Sequence, residues 1–105
     1  MTWLILFIAG LFETAWVIGM KYSQGFTRFW PGVFTIVSLL ISMGLLAYSL
    51  KELPVGSAYA VWTGIGAVGT AVLGIVLFGE SKELIRLFFI FLIIAGIAGL
   101  RIFAK

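Results

Sequence analysis

The chain has 105 residues, 63% of them hydrophobic and 10% charged, with a formal charge of +3 and a mean hydropathy of +1.23. This composition excludes an ordinary soluble domain and identifies an integral membrane protein. The absence of Cys and His removes disulfides, thiol and imidazole chemistry and most transition-metal sites. The small basic excess, spread over short polar connections, suits anionic lipid headgroups and not nucleic acid.

Four apolar runs, at 2–20, 31–50, 55–78 and 86–103, each approach the roughly twenty residues an α-helix needs to cross the hydrocarbon core. The expectation is an all-α membrane protein with four transmembrane helices per protomer, one domain over residues 1–105. The connections at 21–30, 51–54 and 79–85 are too short for a soluble domain and make neighbouring helices antiparallel. The first run has no basic residue ahead of it and no small-residue cleavage site, so it reads as a retained span and not as a signal peptide.

In the first span Leu6, Ala9, Gly10, Glu13, Trp16 and Val17 share one helical face by their three-and-four spacing. Glu13 is the only charge set deep in an apolar run. A carboxyl at that depth costs several kcal/mol in lipid, so it faces a protein interior or a water-filled cavity. It is either a working proton and cation site or a protonated side chain that glues helices together. Trp3 and, at the start of the next span, Trp30 stand at span ends and read as interfacial anchors.

The second span opens at Pro31, acceptable in a first turn where its missing N–H has no partner to lose. Thr35, Ser38, Ser42 and Ser49 cluster on one side of it. Ser42, near mid-membrane, either braces a carboxylate or bonds back to its own turn.

The third span starts at Pro54 and carries Tyr59 and Trp62 on a common face. In hydrocarbon their O–H and N–H need acceptors, and their rings offer surface to a cation. Gly64, Gly66, Gly69 and Gly74 provide either a hinge or close helix packing. The fourth span has no polar side chain from Leu87 to Arg101, but carries Ala95, Gly96, Ala98 and Gly99. It reads as a helix for dimerisation, or else one that packs its small residues within its own protomer.

With the N-terminus and the second connection on one side of the membrane, that side holds Lys51, Arg101 and Lys105, and the other holds Lys21, Arg28, Lys82 and Arg86. Three against four gives the positive-inside rule almost nothing to act on. The expectation is insertion in both orientations, against the alternative of a fixed topology set by one well-placed residue. Two oppositely inserted copies generate the inverted symmetry common in secondary transporters, which no repeat within the chain supplies.

The run Phe12-Glu13-Thr14-Ala15-Trp16, then Lys21-Tyr22-Ser23 and Gly25-Phe26-Thr27-Arg28, and above all PVGSAYAVWTGIGAVG at 54–69, resemble the small multidrug resistance family along essentially the whole chain. Trp16, where drug-exporting members usually carry a small Gly, and the stretch from Trp62 to Ala67 resemble the guanidinium exporter subtype. The resemblance implies a dual-topology antiparallel homodimer in a prokaryotic plasma membrane that exchanges protons for guanidinium-type cations by alternating access, with no cofactor. It implies that Glu13 of each subunit binds protons or substrate, that Trp16, Ser42, Tyr59 and Trp62 support the glutamates and line the pocket, and that Gly64 and Gly66 kink the third helix. It also gives the fourth helix much of the dimer contact. Thr14 stands where Val is more usual, and Trp30 and Tyr48 are bulky local choices; none of these alters a site position.

A planar guanidinium matches carboxylate oxygens in the two-pronged manner of an Arg side chain. If proton and cation compete for the same paired carboxyls, exclusive occupancy couples their fluxes, and no ATP-binding motif is needed or present. The nearest alternative is an exporter of lipophilic quaternary ammonium cations, which an acidic, aromatic-lined pocket also suits. A proton-driven rotary subunit also carries a lone intramembrane carboxyl, but four spans and the Trp/Tyr cluster argue against it. A simple pore has no need of this constellation, and an intramembrane enzyme lacks the residues for one.

Overall fold

The computed structural model describes residues 2–103. Four helices follow one another, α1 (Thr2–Ser23), α2 (Phe29–Ser49), α3 (Val55–Phe78) and α4 (Leu84–Ile102), and no strand occurs among the described residues. All four are long and apolar enough to cross a membrane. Lys105, one of the charges weighed above, lies outside the described residues.

Helix ends depart from the hydropathy boundaries because backbone hydrogen bonding does not stop where side chains become polar. α1 continues through Lys21 and Tyr22 to Ser23. The buried Ser23 hydroxyl donates to the Met20 carbonyl at 2.8 Å and accepts the Phe26 N–H at 3.0 Å. The chain then reverses through Gln24, Gly25 and Phe26, all in the left-handed region with φ of 51°, 73° and 68°. The N–H groups of Thr27 and Arg28 both donate to the Ser23 carbonyl, at 2.9 and 3.0 Å. These bonds hold two non-glycine residues in a conformation they seldom adopt. α2 begins at Phe29, which leaves Pro31 in the first turn. α4 begins at Leu84, ahead of the apolar run, and so takes Arg86 into its own first turn.

Helix α1 lies at the centre, packed most extensively on α2 and next on α3, while α4 packs chiefly on α3. Small and hydroxylic residues make these approaches, as expected where the surrounding lipid is as apolar as the interior and packing decides association. Leu6, Ala9, Ala58 and Val61 form the apolar core, and Thr14, Ser23, Thr35, Ser38, Ser42 and Ser49 are buried with it. A Cβ at Gly19 would come within 2.7 Å of both Phe34 and Thr35, which fixes how closely α1 approaches α2. Thr35 and Ser49 satisfy their hydroxyls on carbonyls of their own helix, Pro31 at 2.8 Å and Leu45 at 3.0 Å.

The result is a slab whose extents are 43, 35 and 18 Å. No residue of α4 is buried. Trp30 is exposed, stacked edge-on against Phe29. Trp3 instead packs against the apolar core, with the Arg101 guanidinium 5.5 Å from its ring centroid.

Candidate functional site

A cleft of about 580 Å3 opens between α1 and α3. Its α1 wall is Glu13, Val17, Ile18 and Lys21, and its α3 wall runs along Thr63, Gly66, Ala67, Thr70, Ala71, Gly74 and Phe78. These positions recur every three or four residues, so each wall is one helical stripe. Glu80 and Arg86 stand at the far end, in the α3–α4 connection and the first turn of α4. The cleft therefore joins the mid-helix carboxyl of Glu13 to a polar rim.

Glu13 owes its place to a missing side chain. The space that a Cβ on Gly66 would take is filled by the Glu13 carboxyl, whose Cδ lies 2.7 Å from that position. One turn further along α3, Gly69 gives the same room to Thr14. The Thr14 hydroxyl reaches across to the Gly66 carbonyl at 3.2 Å, tying α1 to α3 beside the glutamate. Thr14 thus supplies a polar contact next to Glu13, and does so through the backbone of α3.

Two buried side-chain polar atoms among the described residues lack a hydrogen-bond partner, Glu13 Oε2 and Trp16 Nε1. They belong to adjacent turns of one helix. A buried polar atom left unpaired is costly, and here an acceptor and a donor on adjacent turns of α1 are both left so. The carboxyl suits a cation or a proton; the indole N–H suits a carboxylate.

The other expected site residues form a second cluster. Ser42, fully buried, donates its hydroxyl to the Ala9 carbonyl at 2.7 Å and accepts the Trp62 indole N–H at 2.9 Å. Ser42 bonds across to α1 and not back to its own turn. Because Ala9 precedes Glu13 by one helical turn, this chain links α3, α2 and the part of α1 that carries the glutamate. The Tyr59 ring lies 5.7 Å from that of Trp62, tilted by 50°, and Tyr59 is itself exposed. Trp16, Ser42, Tyr59 and Trp62 are not on the wall of the Glu13 cleft.

Gly64 and Gly66 sit within an α3 that runs unbroken from Val55 to Phe78. Both serve close approaches: a Cβ on Gly64 would come within 3.0 Å of Ile97 on α4, and one on Gly66 would meet Glu13. Sequence reasoning did not identify Thr63, Thr70, Glu80 or Arg86 as parts of the Glu13 cleft. Thr63 and Thr70 were within reach, since they share the stripe of Gly66; Glu80 and Arg86 were not, because their place depends on how the connection folds.

The model of the Small Multidrug Resistance protein family matches residues 1–93. The chain is 54% identical over 102 residues to a guanidinium exporter of Proteus vulgaris, covering 97% of this chain and 98% of the relative. It is 60% identical over 102 residues to one of Yersinia pestis, with the same coverage, and 56% identical over 102 residues to one of Escherichia coli strain K12, covering 97% of each. With its four apolar helices and these bacterial relatives, the chain belongs to the small multidrug resistance family and is a multi-pass protein of the prokaryotic inner membrane.

Proposed function

We propose that the protein exports guanidinium-type small cations in exchange for protons, working by alternating access as an antiparallel homodimer of dual topology. The observation that carries this reading is the Glu13 carboxyl, seated at the inner end of a cleft with one oxygen buried and free of any internal bond. A guanidinium offers that oxygen N–H donors in a planar array. Protonation offers the same oxygen a hydrogen. The two ligands exclude each other, and exclusion couples their movements.

A second copy in the opposite orientation brings a second Glu13 to the same depth, and gives the Trp16 N–H an acceptor that a single protomer lacks. The Ser42–Trp62 pair keeps α1 in register through Ala9, with Tyr59 stacked behind Trp62. Gly64 and Gly66 are where α3 bends between inward- and outward-facing states, and α4, with no residue buried, provides much of the dimer contact. The names of the relatives, guanidinium exporters, support guanidinium as the cation. The exposed Tyr59 ring beside Trp62 favours a second reading, export of lipophilic quaternary ammonium ions.

Reconstituted transport separates the two. Purified protein in liposomes under an imposed pH difference moves guanidinium against its gradient with a matching proton flux, and moves a bulky quaternary cation poorly. Transport of the quaternary cation alone would favour the second reading.

A further inference from the structure

We propose that Glu80 is an outer subsite for guanidinium-type cations, at the mouth of the cleft that ends at Glu13, and that the Arg86 guanidinium is its built-in competitor. This rests on the reading of the substrate as a guanidinium-type cation.

Glu80 and Glu13 line one continuous cleft. On α1 the cleft extends from Glu13 to Lys21, eight residues of helix, or about 12 Å at the helical rise of 1.5 Å per residue. A cation entering from the rim thus passes one carboxylate before it reaches the other.

Glu80 is also placed by the backbone and does not simply trail from a loop. Gly79, with φ of 66°, ends α3 in the left-handed conformation and turns the chain back. The Glu80 N–H then donates to the Gly74 carbonyl at 3.2 Å. Its carboxyl rests in the space above Gly74 that a Cβ would fill, with Cδ 2.9 Å from that position. Both acidic residues of the cleft therefore lie against glycines of α3, Glu13 on Gly66 and Glu80 on Gly74.

The carboxylate already holds a guanidinium. Arg86 Nη2 donates to Glu80 Oε1 at 2.8 Å, while Nη1 is spent on the Ser81 carbonyl at 2.9 Å. The pair is one-pronged, and a free guanidinium is able to offer two parallel donors. Arg86 also sits in the first turn of α4, where the helix dipole disfavours a cation. The side chains are 31% and 48% exposed for Arg86 and Glu80, so water screens the contact and exchange is easy. An arriving guanidinium replaces Nη2 on Glu80, Arg86 keeps its bond to Ser81, and the cation is held at the rim before moving on to Glu13.

The test is the concentration dependence of guanidinium transport in liposomes for wild type, Glu80→Gln, Arg86→Gln, the double variant and Lys21→Gln. Glu80→Gln raises KM about two- to fivefold, the range of a partly exposed charge contact, with little change in maximal rate. Arg86→Gln lowers KM by freeing Glu80, and that gain vanishes in the double variant. Lys21→Gln removes the same charge from the cleft without freeing Glu80, so it lowers KM less than Arg86→Gln. Equal effects of Lys21→Gln and Arg86→Gln, shifts of the same sign in the two single variants of the pair, or no shift at all would overturn the subsite. Wild type that carries no guanidinium would remove the substrate reading and the subsite together, whereas active wild type with unmoved variants removes the subsite alone.

Discussion

The carboxyl of Glu13 occupies the space that a side chain on Gly66 would need. Gly66→Ala therefore does not merely crowd a helix interface; it pushes the acid out of its seat. The clash falls on the far end of a flexible side chain, so the fold yields at small cost, but the group displaced is the proposed cation ligand. Guanidinium transport falls at least about tenfold, as expected for a loss of about 1.4 kcal/mol or more, while a thermal melt in detergent shows folded protein. Wild-type rates in Gly66→Ala would show that the position of the carboxyl is not critical.

Ser42 and Trp62 act as one unit, since a single hydroxyl accepts from the indole and donates to Ala9. Ser42→Ala leaves a partly buried indole N–H without its acceptor. The stability loss is about 1 kcal/mol, because hydrogen bonds between membrane helices average about 0.6 kcal/mol and an orphaned donor adds to this. A double-mutant cycle with Trp62→Phe gives a coupling of about 0.5–1.5 kcal/mol in an unfolding assay. Additive effects would mean that the two residues contribute separately.

Thr14 ties α1 to α3 through the Gly66 carbonyl. Thr14→Val keeps the shape and removes the bond, and Thr14→Ser keeps the bond and removes a methyl. If the bond restrains the bend of α3 at Gly64 and Gly66, Thr14→Val changes maximal transport rate by about two- to fivefold, consistent with one hydrogen bond of about 0.5–1 kcal/mol, and Thr14→Ser stays close to wild type. Stopped-flow transport measurements compare them directly. Equal effects of the two variants would assign Thr14 to packing alone.

The proposed dual topology rests on the near balance of Lys and Arg between the two sides. Reporter fusions at the C-terminus give signal from both faces of the membrane, and one added Lys in the first connection, which takes the balance from four against three to five against three, shifts the population toward a single face. A reporter confined to one face in the unaltered chain contradicts the expectation.

Periodicity and hydropathy made much of this molecule legible from its sequence. The four helices, the burial of Leu6, Ala9 and Gly10 on one face of α1, and the buried hydroxyl stripe of α2 all follow from spacing. The helix ends did not, because Ser23 extends α1 with side-chain bonds beyond its apolar run and α4 starts at Leu84, ahead of the run at 86–103. Glu13 stood out as a charge in an apolar run, but its seat on Gly66 depends on the register of α1 against α3. Likewise, the position of Ser42 in the sequence allows it to brace the carboxylate or bond back to its own turn, while the structure gives it the Ala9 carbonyl and the Trp62 indole. Side-chain pattern locates a polar stripe; only helix packing decides which acceptor it meets.

The central claim is that one carboxyl serves both proton and cation. It is tested most directly by Glu13→Gln in liposomes under an imposed pH difference, with guanidinium and proton fluxes recorded together. The amide retains size and hydrogen bonding but has neither charge nor exchangeable acidic proton, so concentrative guanidinium transport and the coupled proton flux both disappear while the protein remains folded. Continued accumulation of guanidinium against its gradient by Glu13→Gln would contradict the account.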